Sequence, residues 1–346
     1  MRGFAGRSER VRLLLGGRRL ASAETGRLGG FVLHAKAPAP GRYAVAVATG
    51  SERRTIGTLV VRPLELAAAG DVTFGTDVAS AIAAYGPEYP WQSVGPLLRS
   101  ADLAAANLEG TVSTRGSPVP NKSFTFRGSP AALTAAASFA GIDVFTVANN
   151  HSLDFGQAAF FDTLSLAAHA GIATIGGGRN LAAARRPAIL TRGGLRVAFL
   201  GYSDINPDGF LAGPDFPGTA AADPAAIAAD VRSTRRRADL VVVFFHWGVE
   251  LERSPDGRQE ELAAAALNAG AAVVLNAHPH VLQPIVQPAR RRLVAWSLGN
   301  FVFPPHSPGT EHTGVLLVSL DAGGVRGYSF RPAEIVGVQP RLRSSS

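Results

Sequence analysis

Apolar and polar positions alternate along this chain in two different styles, with the change near Leu64. Beyond it, short apolar runs close on a polar residue: Leu66 to Asp71, Asp102 to Glu109 and Ile142 to Asn149 are read as buried strands. Leu195 to Tyr202, Asp239 to His246, Ala271 to His278 and Leu293 to Leu298 repeat the design. Alanine-rich amphipathic stretches, Pro130 to Phe139 and Gln157 to Ala170, supply helices among the earlier runs. Strand and helix in this alternation predict a layered α/β fold, and no solenoid-like repeat is present. Before Leu64 the runs are shorter. Phe31 to His34, Arg42 to Ala48 and Thr55 to Val61 read as strands separated by turns such as Pro38-Ala39-Pro40-Gly41. The chain is therefore expected to hold a small β-rich segment over 1–64, the remnant of a β-sandwich, and an α/β domain over 65–346.

Composition changes that picture little. The 346 residues, 46% hydrophobic and 17% charged, suit a globular chain with one large domain and an appendage. The absence of cysteine excludes disulfides and thiolate metal sites. No run approaches the ~18 apolar residues of a membrane-spanning helix. Leu13-Leu14-Leu15 is too short for the core of a signal peptide, and no convincing cleavage site follows it. The net charge of +8 comes almost wholly from arginine, since Lys36 and Lys122 are the only lysines. Arg235-Arg236-Arg237 and Arg290-Arg291-Arg292 are read as solvated turns, and no nucleic-acid partner is expected. A basic surface would suit an anionic polymer. Gly176-Gly177-Gly178 is read as a flexible turn, because no Lys-Ser/Thr follows it to make a phosphate loop. His34, His169, His306 and His312 are read as structural.

The candidate chemistry lies where the apolar runs stop. Asp71, then Asn107 and Glu109, then Asn149-Asn150-His151, then His246, then His278 and His280 each follow or end a strand. In open α/β sheets such termini converge beyond the carboxyl edge. Carboxylate, carboxamide and imidazole together suit a divalent ion such as Zn²⁺, Mn²⁺ or Fe²⁺. Taken singly, Asp71 and Glu109 also fit helix N-caps, and Asn149-Asn150 fits a turn.

The ordered motifs Gly70-Asp71, Asn107-Leu108-Glu109, Asn121-Lys122-x-Phe124-x-Phe126-Arg127, Ala148-Asn149-Asn150-His151-x-x-Asp154-x-Gly156, His246-Trp247-Gly248-x-Glu250, Ala277-His278-Pro279-His280-Val281 and Ser297-Leu298-Gly299-Asn300-Phe301 resemble those of the CapA family. That family is similar in turn to the calcineurin-like metallophosphoesterases. The resemblance implies a four-layer αββα sandwich and a role in making, releasing or anchoring an anionic cell-envelope polymer such as poly-γ-glutamate. It also implies a cell-envelope location, membrane-bound capsule synthesis subunits as partners, and one or two divalent ions serving hydrolysis or transfer.

By that resemblance Glu109 would bridge two ions. Asn150, His246 and His278 would complete one site, while Asp71 and His280 would hold the other. His151 would act as a general acid or oxyanion donor with its ring oriented by Asp154. Asp71-Val72-Thr73 departs from the phosphoesterase pattern, lacking its histidine at Thr73. This weakens the first metal position and keeps a non-catalytic assembly or polymer-binding subunit as the competing reading. Lys122 and Arg127, in an extended stretch with Phe124 and Phe126, are expected to share one face, with the rings on the other, either as substrate-binding cations or as members of surface salt bridges. Glu250 would support a ligand or recognise an amine.

Overall fold

In the computed structural model, which describes residues 1–35 and 38–343, the chain divides into two compact units, Met1–Pro63 and Leu64–Ser346.

The first unit is all β. A four-stranded antiparallel sheet runs in the order Arg18–Glu24, Arg10–Leu15, Gly41–Thr49, Glu52–Val61, and Arg2–Phe4 pairs separately with Gly30–Val32. Alternation explains the sheet: Val11 and Leu13 point inward onto Phe31 and Leu33, while Arg10 and Arg12 point outward. The strands Arg10–Leu15 and Arg18–Glu24 were not among those expected, because arginines interrupt their apolar pattern.

The second unit is built on two large sheets. One runs Ala173–Ile175, Val144–Thr146, Leu103–Leu108, Leu64–Val72, His312–Asp321, Gly324–Val336, Gln339–Leu342; Asn300–Val302 also pairs with Leu64–Val72. The other runs Ala188–Arg192, Leu195–Ser203, Leu240–His246, Val273–Ala277, Leu293–Ala295, Ile285–Val286. The inner faces meet in one core containing Leu66, Leu103 and Val144 against Phe199, Val242 and Leu275. The outer face of the first sheet packs Ala67 and Ala104 against Ala132 and Leu133 of helix Pro130–Ser138 and Phe160 of helix Gly156–His169. The outer face of the second packs Leu200 and Val243 against Ile227 of helix Pro224–Thr234 and Leu262 of helix Gly257–Ala269. Helix, sheet, sheet, helix gives the four expected layers. Because both faces of each central strand are covered, these strands read as continuous apolar runs.

Three readings need correction. Gly177–Gly178 is not a free turn but pairs with Gly218–Thr219. A Cβ at Gly178 would lie 2.5 Å from the Ala184 backbone nitrogen, so the triple glycine serves close packing. In the hairpin between Ile285–Val286 and Leu293–Ala295, Arg291 is not merely solvated; it pairs with Asp321 at 3.0 Å. Arg292 donates to the Gly270 carbonyl at 3.0 Å. Finally, the long hairpin His312–Asp321 and Gly324–Val336 was not anticipated, although it flanks the strand carrying Asp71. Among the described residues no helix is long and apolar enough to cross a membrane.

One backbone contact fixes the sheet edge where the polar residues gather. Asp71 N–H donates to Gly299 O at 2.9 Å and Thr73 N–H to Val302 O at 2.9 Å. A Cβ on Gly70 would fall 1.8 Å from Gly299 O, and Gly299 itself has φ +63°. Two glycines thus let the strand ending in Asp71 meet the segment ending in Asn300. Gly70→Ala is expected to cost about 3 kcal/mol in urea unfolding. Gly327→Ala, where the added methyl meets nothing within 4 Å, should change stability by less than about 0.5 kcal/mol.

Candidate metal centre

The polar strand ends come together at one edge of the two sheets. Asp71, Glu109 and His246 each offer a ligand atom, and these atoms lie within 4.8 Å of one another; the same holds for Glu250, His278 and His280. This grouping differs from the expected partition, since it draws Glu250 toward the histidines of the last motif. All but Glu250 are buried.

Asn107 ties the elements together. Its amide donates to Asp71 Oδ1 at 2.7 Å and lies 3.3 Å from His246 Nδ1, so it touches groups from both sheets. Its carbonyl oxygen accepts from Asn149 Nδ2 at 3.0 Å. Asn149 in turn receives His151 N–H at 3.0 Å and Ser152 Oγ at 3.0 Å, holding the turn that aims Asn150 and His151. Asn150 Oδ1 meets His246 Nε2 at 2.8 Å.

His278 and His280 follow their strand with φ of +106° and +59°, values that side-chain-bearing residues adopt at a cost of order 1–3 kcal/mol. Asp71 secures the first by accepting His278 N–H at Oδ2, 3.1 Å away. His280 Nδ1 sits 2.8 Å from Asn300 Oδ1 and 3.5 Å from Asp71 Oδ2.

The charges explain what the pocket lacks. Burial alone would raise the Asp71 pKa, but His280, Asn107 and the His278 N–H outweigh it, and the carboxyl stays below its ordinary value. Glu109 has the His280 charge on its side, but this does not suffice. Burial first, and the Asp71 charge second, push its pKa well above the carboxylate range, and neither oxygen has a hydrogen-bond partner. Burial also opposes a charge on His280, yet the Glu109 and Asp71 carboxylates overcome it and lift the imidazole to about 9. Burial together with the nearby His280 charge lowers His278 to about 3 and drives His246 far below its usual value, the latter also facing His278. Neutral imidazoles beside a buried, unpartnered carboxylate form a donor set that fits a divalent cation. His278 Nδ1 is likewise buried without a partner.

His151 stands at the side of this cluster. Its Nδ1 pairs with Asp154 Oδ2 at 2.8 Å, and its Nε2 faces Glu109 Oε1 at 3.6 Å. Phe126 stacks on the ring with centroids 4.2 Å apart, and Asp154 Oδ2 also accepts Phe126 N–H at 2.7 Å.

The expected alternation around Lys122 does not hold. Residues 122–126 form no strand, and Lys122 and Arg127 are separated by an odd number of steps. Lys122 turns inward, pairing with Asp154 and lying 3.0 Å from His151 Nδ1. Phe126 is buried while Phe124 is 71% exposed. Arg127 remains outside, its guanidinium 4.4 Å over the Phe155 ring.

His306, read from sequence as structural, belongs here: its ring meets that of His280 edge-on at 4.9 Å. Its position shortly after Asn300, in the loop following a site strand, was the available signal. Thr73 is buried, and its hydroxyl accepts Gly75 N–H at 3.2 Å.

The family described as bacterial capsule synthesis protein PGA_cap matches residues 65–305. The PGA biosynthesis protein CapA of Bacillus subtilis (strain 168) is 30% identical over 273 residues, covering 78% of this chain and 71% of that protein. The capsule biosynthesis protein CapA of Bacillus anthracis is 29% identical over 290 residues, covering 82% and 70%. A solved 5'-nucleotidase precursor from Thermus thermophilus aligns at a TM-score of 0.45 and 14% identity, over 81% of this chain and 55% of its own.

Glu109→Gln separates the cost of the buried carboxylate from its use. In chelator-treated protein the variant should be at least as stable as the parent, because a neutral amide replaces a buried carboxyl whose ionisation burial opposes. With Mn²⁺ or Zn²⁺ added at a hundredfold excess over Kd, the parent should gain about 2.7 kcal/mol and the variant far less. Thermal unfolding with and without metal reads both.

Proposed function

This chain belongs to the PGA_cap family of bacterial capsule synthesis proteins, and from that membership we propose that its buried cluster binds divalent metal for hydrolysis or transfer on an anionic cell-envelope polymer of the poly-γ-glutamate kind. The observation that carries this reading is the pair of Glu109 oxygens, buried and without hydrogen bonds among three histidines and a second carboxylate. A fold does not keep such a group for stability alone.

Asp71, Glu109, Asn150, His246, His278 and His280 are the proposed ligands, with Glu250 at the rim. A bound divalent ion supplies Lewis acidity toward a phosphoryl or carbonyl oxygen and activates water. The chain's own groups do the rest. Asp154 holds His151 by Nδ1, so that Nε2 is the nitrogen available to exchange a proton with the reacting group. Lys122, paired to Asp154, is a positioning residue rather than a direct substrate contact. Arg127 offers a planar fork to a carboxylate at the rim. The scissile bond is a phosphoester or a γ-glutamyl amide, both of which the same groups would polarise. Membrane-bound capsule synthesis subunits are the partners this role calls for.

A second reading, a polymer-binding or assembly subunit without catalysis, draws on Thr73, whose hydroxyl is spent on the Gly75 turn. Elemental analysis beside phosphodiesterase and poly-γ-glutamate cleavage assays separates the two. One or two ions per chain with metal-stimulated cleavage supports the enzyme; neither metal nor cleavage under any supplement leaves the assembly role.

His278→Ala should lose metal and activity together. His151→Ala should keep its metal while turnover drops about 10²-fold. Parallel loss of metal in the His151 variant would refute the role given to this ring.

A further inference from the structure

The positive charge of the chain is not spread along it. Residues 1–63 hold twelve of the 34 Lys and Arg but three of the 26 Asp and Glu, a formal charge of +9. The remaining 283 residues carry −1. A base-composition bias toward arginine would load both units alike, so this asymmetry needs a local cause.

The register of the four-stranded sheet shows where part of this charge sits. Paired residues of antiparallel neighbours point to the same face. Arg12 is opposite Ala48, and Ala48 opposite Arg53; Leu14 is opposite both Arg19 and Ala46. Arg10 and Arg42 share that parity, so five arginines occupy the face turned away from Val11, Leu13 and Phe31. The small Ala44, Ala46 and Ala48 separate them on the central strand. Arg19, Arg42 and Arg53 are exposed, and the single acid on the face, Glu24, is held by Arg10 at 2.9 Å.

We propose that this arginine face of the N-terminal β unit is a binding surface for an extended polycarboxylate, made of residues other than those of the metal cluster. Guanidinium groups take carboxylates through two parallel hydrogen bonds. Strands ~4.8 Å apart and alternate residues ~6.8 Å apart set the cations in a grid that a flexible chain of repeated carboxylates can follow. The face carries no aromatic side chain: Tyr43 has the opposite parity. It therefore lacks the stacking platform that single-stranded nucleic acid uses. The choice of polycarboxylate over other anions rests on the capsule-polymer reading above, whereas the existence of an anion-binding face does not.

The test uses the full chain and size-fractionated poly-γ-glutamate, with binding followed by fluorescence anisotropy at several salt concentrations. The parent should weaken by at least roughly tenfold between about 50 and 200 mM salt, as expected when several ion contacts release counterions. Arg19→Glu/Arg42→Glu/Arg53→Glu changes only exposed positions and should lose binding by tenfold or more. Arg232→Glu/Arg236→Glu/Arg237→Glu makes the same change in net charge at exposed positions of the other unit and should retain it. Equal losses in the two triple variants, or none in the first, would overturn the proposal. So would tighter binding of the parent to duplex DNA or to phosphatidylglycerol vesicles than to the polycarboxylate at equal salt. Unfolding curves confirm that each variant is folded. Metal content is read on the same samples, so failure of this surface and failure of the metal-site reading are told apart.

Discussion

A carboxylate buried with neither oxygen hydrogen-bonded is among the costliest groups a fold can hold, and Glu109 is one. Much of the second unit is arranged around it. Five strand ends from two sheets bring a second carboxylate, three imidazoles and a carboxamide to its side. His280 answers the negative charge by holding its proton up to about 9, while His246 and His278 stay neutral. The positive φ at His278 is tolerated because Asp71 accepts its N–H. The strain of the two positive-φ histidines thus sits at the same place as the unpartnered carboxyl.

The sequence carried the layers and the convergence of this site more clearly than its wiring. Strands covered on both faces give unbroken apolar runs, so Leu64–Val72, Leu103–Leu108 and Leu240–His246 were legible, as were the polar residues that end them. Elements with one face in water were harder. Gly324–Val336 and Arg18–Glu24 mix exposed charge with half-buried positions, and pairing between distant segments leaves no local mark. Counting by twos failed at Lys122 to Arg127 because the two are an odd number of steps apart and the segment is irregular. Its course is set by Asp154, which accepts Phe126 N–H and pairs with Lys122. No periodicity within those residues encodes that.

The His151 ring is held on three sides by its neighbours. Asp154 fixes one nitrogen, Phe126 covers the ring face, and the other nitrogen turns toward Glu109. The ring therefore has little freedom. Burial lowers its pKa, partly offset by Asp154, so the neutral form dominates near pH 7. The Lys122 side chain serves the same end, which explains why a cation at this position is turned inward.

The close passage of Gly70 beneath Gly299 bears on how the molecule is made. Asp71 receives His278 N–H across a separation of 207 residues, and its strand is flanked by Asn300–Val302 and by His312–Asp321. Contacts of such high order form late in folding, since the intervening chain must be closed first. During synthesis the two carboxylates therefore remain hydrated until the far end of the second unit has emerged and docked. A nascent chain stopped just before that hairpin would already hold all of the polar strand ends, but not the strand that flanks the one carrying Asp71.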